Sequence, residues 1–210
     1  MTARVVLLAG ASGSGKTSLT RRTGLPVLAL DDFYRDADDT ADPPMPHRFG
    51  IVDWDDPAAW DAAAAMDAVL ALCRNGVADV PVYDIPTSRR TGTARLDLAG
   101  APVVVAEGIF AAELVAPARA AGVLADAICL SLSPAVTFGR RLLRDLAESR
   151  KPPLTLLRRG FALARAEPTL VRRWTAQGCR PCTPAQAQAR LTELAAPGPV
   201  RGRRGPASAR

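Results

Sequence analysis

The sequence predicts an α/β domain with a mostly parallel sheet flanked by helices. Short apolar runs alternate with helical patterns, which is typical of βαβ units. A glycine-rich stretch at residues 10–17 joins the first apolar run to a helical pattern, in the same strand-to-helix order. At 210 residues, the chain has the length of one such domain with a small lid. The predicted strands are Arg4–Ala9, Pro26–Leu30, Val103–Ala106 and Ala127–Leu132.

Helix signals place two helices and a hinged region along the rest of the chain. The clearest helix is predicted from Pro57 to about Asn75, with Asp56 as its N-cap and Gly76 at its end. A late helix opens in the same way at Thr183. Between residues 135 and 173 a helical pattern is interrupted by prolines, so we expect a helical lid at roughly residues 140–167. No clear fifth strand is visible in the C-terminal part.

Composition excludes several classes of protein. The net charge is +6, but four arginines lie in the last ten residues, so nucleic acid is not an expected partner of the nearly neutral body. We expect a folded domain at residues 1–196 and a disordered basic tail at 197–210. No run approaches the roughly 18 to 20 apolar residues of a membrane helix, so we expect a cytoplasmic protein. Four cysteines are too few for a disulfide scaffold. A homo-oligomer is compatible with the sequence.

The strongest motif is GASGSGKT, which fits G-x-x-x-x-G-K-[ST] between a strand and a helix. Glycines let backbone N–H groups surround phosphate oxygens at the helix N-terminus. Lys16 is predicted to reach the β- and γ-phosphates of ATP, and the Thr17 hydroxyl to ligate Mg²⁺. The alternative is a glycine-rich turn that binds nothing. The predicted nucleotide-binding residues of this segment are Gly10, Ala11, Ser12, Gly13, Ser14, Gly15, Lys16, Thr17 and Ser18.

Carboxylates follow two of the predicted strands. Asp31 and Asp32 end the second strand, where a parallel sheet presents its ligand-binding edge. Phosphoryl transfer needs a group that takes the proton of the acceptor, and Asp31 is the preferred base, with Asp32 as the competing choice. Glu107 ends the apolar run VVVAE and is predicted to hold Mg²⁺ directly or through water. The alternative for Glu107 is a carboxylate that caps a strand end in solvent.

The order of motifs resembles the uridine kinase family, a group of P-loop kinases related to phosphoribulokinase and nicotinamide riboside kinase. The resemblance spans roughly Val5 to Lys151. Besides the phosphate loop it rests on DDFYRD (Asp31–Asp36), DWDDPAAWD (Asp53–Asp61), PVYD (Pro81–Asp84), AEGIF (Ala106–Phe110) and RRLLRDLAESRK (Arg140–Lys151).

The resemblance implies an ATP-dependent kinase that acts on a small-molecule hydroxyl, most directly the 5′-hydroxyl of uridine or a related nucleoside. It implies Asp31 as base and Mg²⁺ neighbour, with Thr17 and Glu107 as the other metal residues. Asp55 is then the carboxylate that holds the ribose hydroxyls, and Tyr34 and Tyr83 lie near the acceptor.

The lid carries the arginines that the family uses against phosphates. Arg140 and Arg144 share a helix face and are predicted to clamp ATP, with Arg144 also catalytic, while Arg141 is assigned to the acceptor. A solvated basic face, paired with nearby acidic residues, is the alternative.

One departure concerns the acceptor. Family members that bind uracil or cytosine usually carry a histidine a few residues after YD, and Ser88 stands there in this chain. Ser88 could still hydrogen-bond a base. Its presence keeps open a kinase for another riboside, a sugar phosphate or a pantothenate-like alcohol. A P-loop ATP-binding regulatory protein without an acceptor is the alternative from another class.

Three weaker signals remain. Cys179 and Cys182 form a CxxC, but zinc needs about four ligands and the only histidine is the distant His47, so we favour a turn near the adenine over a zinc or redox site. His47 is either a solvated loop residue or part of the acceptor pocket. Trp54 and Trp60 are expected to pack the helix that begins at Pro57 onto the sheet.

Overall fold

The computed structural model describes residues 3–11, 13–48, 50–132 and 168–196. The strands are β1 (Arg4–Ala9), β2 (Val27–Ala29), β3 (His47–Arg48), β4 (Ile51–Val52), β5 (Val77–Asp84), β6 (Arg89–Asp97), β7 (Val103–Gly108), β8 (Leu124–Leu130) and β9 (Arg180–Cys182). The helices are α1 (Lys16–Thr23), α2 (Ala62–Asn75), α3 (Val115–Ala120), α4 (residues 168–176) and α5 (Pro184–Ala195). Short 3₁₀ turns cover Leu30–Phe33, Pro57–Ala59 and Ala111–Leu114.

A five-stranded parallel sheet forms the centre of the fold, in the order β2-β7-β1-β8-β9. β1 is apolar on both faces because both are covered: Val5 and Leu7 face the larger core cluster, and Val6 and Leu8 face the smaller one. Since the strands are parallel, β1, β2 and β7 end at the same edge. The predicted α/β class is therefore confirmed, and the predicted lid at 140–167 and tail at 197–210 lie outside the described residues.

The central sheet has a fifth strand, β9, which the sequence does not predict. β9 pairs in parallel with β8, with Ile128 opposite Arg180 and Leu130 opposite Cys182. Its three residues include Pro181, and proline is tolerated at the edge of a sheet. A strand this short, with an exposed Arg-Pro pair, has no apolar pattern by which it could be recognised.

The helix predicted from Pro57 begins later than expected. Asp56 caps a 3₁₀ turn by accepting a hydrogen bond from Ala58 N at 2.9 Å. The backbone is extended at Trp60, and α2 starts after Asp61, whose side chain accepts from Ala64 N at 2.9 Å. A tertiary contact delays the start of the helix, because Trp60 is buried and its indole Nε1 donates to Leu30 O at 2.7 Å. The predicted end is confirmed, because Gly76 adopts the left-handed C-cap conformation.

An antiparallel hairpin of β5 and β6 lies apart from the central sheet. The alternation of strands and helices does not predict it, because β6 is exposed at nearly every position and shows no apolar face. The late helix α5 opens as expected, with a capping box between Thr183 and Gln186. All four cysteines are buried and free. Within the described ranges, no helix is long and apolar enough to cross a membrane.

Candidate active site

The glycine-rich loop curls tightly between β1 and α1. Lys16 Nζ donates to Gly10 O at 2.8 Å, and Gly13 and Gly15 adopt positive φ angles of 81° and 91°. A Cβ at Gly10 would lie 2.7 Å from Ser14 Oγ, so a larger residue there would displace the Ser14 hydroxyl. Ser14 Oγ is buried and has no hydrogen-bond partner within the described part of the chain. This closed loop of glycines around a lysine fits a phosphate group; Ser12, also predicted to bind it, lies outside the described residues.

Glu107 and Thr17 meet beside this loop. β7 neighbours β1, which places Glu107 next to Leu8 at the edge of the sheet. Thr17 Oγ1 donates to Glu107 Oε1 at 3.3 Å, while the buried Glu107 Oε2 has no partner among the described residues. Burial raises the pKa of Glu107, and Lys16 and the Thr17 hydroxyl partly oppose that rise. A hydroxyl and a carboxylate with an unused buried oxygen are suited to a hard cation such as Mg²⁺.

Asp31 faces the loop from the 3₁₀ turn that follows β2. Asp31 lines a cleft, and the backbone N–H of Ile109 acts to lower the pKa of its carboxylate. Burial raises the pKa of Asp31, because the walls of the cleft remove water from the carboxylate, while Lys16 acts in the opposite direction. Gly108 permits this position, since a Cβ there would lie 2.8 Å from Leu30 Cβ and 3.1 Å from Asp31 Oδ1.

Asp32 is oriented differently from Asp31. Its carboxylate accepts a hydrogen bond from the backbone amide of Tyr83, and it is not among the residues that line the cleft. Burial raises the pKa of Asp32, the Tyr83 amide opposes this rise and the neighbouring Asp31 adds to it. Geometry therefore distinguishes two acids that the sequence alone leaves in competition.

One cleft of about 380 Å³ joins these groups. Lys16 of the phosphate loop lines it together with Asp31 and Asp55. The cleft thus contains a cationic loop, a metal-suited pair and two further carboxylates. The lining residues are Gly13, Gly15, Lys16, Thr17, Ser18, Ala29, Asp31, Tyr34, Asp55, Glu107 and Ile109.

Aromatic rings surround the Asp55 side of the cleft. The Tyr34 ring contacts Trp54 edge-on at 5.4 Å between centroids and Tyr83 at 5.9 Å, and its hydroxyl donates to Trp54 O at 3.1 Å. Trp54 also contacts the Tyr83 ring at 6.4 Å. The expectation that Trp54 packs helix onto sheet is wrong, although Trp60 does pack there, 5.4 Å from Phe110. The position of Trp54 next to Asp55 in the sequence is the signal that could have placed Trp54 near the Asp55 side of the cleft.

Three predicted or candidate residues do not line the cleft. The Tyr83 ring contacts Trp54 and also Tyr34, which does line the cleft, and the Tyr83 hydroxyl donates to Arg35 O at 3.3 Å. Ser88 lies in the hairpin turn with φ of 53°, and its hydroxyl donates to Ile85 O at 3.4 Å. His47 is exposed, with Nδ1 2.9 Å from Met45 O. Arg140, Arg141 and Arg144 lie outside the described residues.

A second cavity, of about 460 Å³, lies between the phosphate loop and α5. It shares Gly15 and Ser18 with the first cleft and extends to the start of α5 at Pro184. The CxxC segment leads directly into this helix, since β9 ends at Cys182. Within the described ranges, no three His, Cys, Asp or Glu side chains are arranged to hold a metal ion. Mg²⁺ usually keeps several waters and phosphate oxygens, so a site with fewer protein ligands is sufficient for it.

The parallel sheet, the closed phosphate loop and the facing carboxylates define a P-loop phosphotransferase. The family model described as "Phosphoribulokinase / Uridine kinase family" matches residues 5–151. The chain belongs to this family. It is an ATP-dependent small-molecule kinase.

Among curated relatives, the uridine kinase of Deinococcus deserti is 36% identical over 180 residues, covering 79% of this chain and 82% of the relative. The uridine kinase of Borreliella burgdorferi strain ZS7 is 28% identical over 151 residues, covering 70% of this chain and 69% of the relative. A solved structure from Silicibacter sp. TM1040, whose proposed role is that of a fructose transport system kinase, superposes with a TM-score of 0.55. The two sequences are 21% identical, and the superposition covers 87% of this chain and 88% of the other. This similarity supports the fold alone.

Proposed function

We propose that this protein transfers the γ-phosphate of ATP to the 5′-hydroxyl of uridine or a related nucleoside. The observation that carries the proposal is the single cleft lined by Lys16, Asp31 and Asp55. The similarity to curated uridine kinases supports a nucleoside acceptor. Because phosphoryl transfer depends mainly on positioning and charge stabilisation, a cleft that gathers these groups has the required parts.

The phosphate loop is proposed to bind the triphosphate of ATP. Its backbone amides and Lys16 would surround the β- and γ-phosphates, and the buried Ser14 hydroxyl, which has no hydrogen-bond partner among the described residues, lies beside Gly10 of the same loop. The cavity between this loop and the start of α5 has room for the adenine. Thr17, Asp31 and Glu107 would hold Mg²⁺, which neutralises charge on the phosphates when bound.

Asp31 and Asp55 divide the work on the acceptor. We assign Asp31 as the base that takes the proton of the attacking hydroxyl, because it lines the cleft and its charge interacts with those of both Lys16 and Glu107. Asp55 would accept hydrogen bonds from two neighbouring ribose hydroxyls, which fixes the sugar so that its 5′-oxygen faces the loop. Tyr34 and Trp54 present aromatic surface beside Asp55, where the base of a nucleoside can pack.

The lid completes the proposed site. Arg140 and Arg144 are proposed to cover the ATP phosphates, with Arg144 stabilising charge during transfer, and Arg141 to reach the acceptor. We also propose that the enzyme works in the cytoplasm, where ATP and nucleosides meet.

A kinase for a different acceptor is the second candidate. The observation that favours it is Ser88, which occupies the hairpin turn and bonds to Ile85 O rather than lining the cleft. Recognition of a pyrimidine edge would then fall to other groups, and another riboside, a sugar phosphate or a pantothenate-like alcohol becomes a realistic acceptor.

Release of ADP with a panel of acceptors tests the proposal. We expect turnover that is stimulated by uridine or a related nucleoside, with phosphate recovered on the 5′-oxygen, and no such turnover in the Lys16→Ala variant. Stimulation only by a sugar phosphate or another alcohol would select the second candidate. Slow hydrolysis that no acceptor stimulates would instead indicate an ATP-binding regulatory protein.

A further inference from the structure

Hydrogen bonds and an ion pair connect the turn of the β5–β6 hairpin to the segment that follows Asp31. The backbone amide of Arg90 donates to Asp36 Oδ1 at 2.7 Å, and Ala37 N donates to Ser88 O at 3.1 Å. Arg89 pairs with Asp38 at 2.6 Å at a largely exposed position. The hairpin, which lies outside the central sheet, therefore contacts the chain immediately after the proposed base.

Arg90 makes the most extensive of these contacts. Its Nε donates to Tyr34 O at 3.1 Å, and its terminal nitrogen lies 3.4 Å from Phe33 O and 3.2 Å from Asp61 Oδ2. Asp61 in turn caps α2 and donates its backbone amide to Phe33 O at 3.0 Å. One guanidinium thus joins β6, the Asp31 turn and the start of α2.

These contacts fix the turn through residues that do not line the cleft. Phe33, between the two cleft residues Asp31 and Tyr34, is buried with 1% exposure and anchors the turn in the core. Arg90 holds the carbonyls of Phe33 and Tyr34 from outside. With the ring and both carbonyls fixed, the side chains of Asp31 and Tyr34 keep their direction into the cleft.

We propose that Arg90 is a positioning residue for phosphoryl transfer. Arg90 does not line the cleft; it sets the placement of Asp31 and Tyr34 through the backbone carbonyls of Phe33 and Tyr34. An arginine is required because its planar fork reaches three acceptors at once, which a lysine ammonium on a flexible stem does not reproduce. The inference rests on the roles proposed for Asp31 and Tyr34.

The test compares Arg90→Gln and Arg90→Lys with Arg89→Gln. Arg89 is the matched control, since it is the neighbouring arginine on the same strand and pairs only with the exposed Asp38 among the contacts described. For Arg90→Gln we expect acceptor-dependent kcat to fall on the order of tenfold to 100-fold, because a displacement of about 1 Å at a catalytic group can reduce the rate about 100-fold. The Kd for MgATP should stay within about twofold of wild type, and Arg90→Lys should recover only part of kcat.

Hydrogen exchange provides a readout that needs no acceptor. In the nucleotide-free protein, amides of residues 31–36 should exchange faster in Arg90→Gln than in Arg89→Gln, with β1 and α1 unchanged. If wild type phosphorylates no nucleoside, the proposed function fails, and the exchange pattern still decides the role of Arg90. Equal exchange and equal kcat in the two variants, or loss of kcat that merely follows a loss of MgATP affinity, would overturn the inference.

Discussion

Replacing Gly108 with alanine should displace the proposed base without touching the phosphate loop. The added Cβ would lie 2.8 Å from Leu30 Cβ and 3.1 Å from Asp31 Oδ1. Carbon atoms in contact are normally about 3.5–4.0 Å apart, so Leu30 would have to move by about 0.7 Å or more. Asp31 follows Leu30 in the same turn and would move with it. Since an error of about 1 Å in positioning can reduce rate 100-fold, we expect kcat to fall on the order of tenfold to 100-fold.

Steady-state kinetics with the acceptor found in the panel measures this effect. Gly92→Ala is the matched control, because a Cβ at Gly92 meets nothing within 4 Å. Overpacking can lower stability by about 1–3 kcal/mol, so Tm and the Kd for MgATP must be measured as well, to show that Gly108→Ala is folded at the assay temperature. Wild-type kcat in a folded Gly108→Ala protein would refute the claim that the placement of Asp31 controls transfer.

Three further substitutions separate catalysis, binding and stability. Asp55→Ala should raise the acceptor KM by about tenfold or more with a smaller change in kcat, because it removes the hydrogen bonds that the carboxylate would accept from the acceptor hydroxyls. An unchanged KM would exclude Asp55 from the acceptor site. Asp31→Asn should abolish most transfer while sparing MgATP affinity, and near-normal kcat would rule out Asp31 as base. Because burial raises the pKa of Asp31, ionisation of this carboxyl destabilises the folded state at pH 7. In the absence of Mg²⁺ and nucleotide, Asp31→Asn should therefore have a higher Tm than wild type at pH 7. The difference in Tm should narrow as pH falls through the raised pKa, since wild-type Asp31 then becomes neutral. Thr183→Ala removes the cap of α5 and should lower the free energy of unfolding by about 1 kcal/mol, measured by urea denaturation, whereas no change would show that the capping box is dispensable.

Local motifs could be predicted from the sequence because their context is local. The phosphate loop lies between a strand and a helix, and Glu107 ends an apolar run, so neighbouring residues already indicate what each segment forms. Asp55 was found only through the resemblance to a family, since an aspartate in an acidic loop has no distinguishing pattern of its own.

The remaining parts depend on contacts between distant segments. The helix after Asp56 breaks at Trp60 because an indole bonds to Leu30 O, thirty residues earlier in the chain. β9 exists only because β8 offers it an edge. Arg90 becomes informative only when the hairpin brings it to Tyr34 O, 56 residues away in sequence. Neither propensity nor periodicity contains such information.

A structure of the protein with Mg²⁺, a non-hydrolysable ATP analogue and the preferred nucleoside tests the central claim most directly. We predict that the 5′-oxygen of the nucleoside lies within hydrogen-bond distance of Asp31 and in line with the γ-phosphate held beside Lys16, with the ribose hydroxyls on Asp55. A nucleoside bound outside this cleft, or oriented with its 5′-oxygen away from Asp31, would contradict the account.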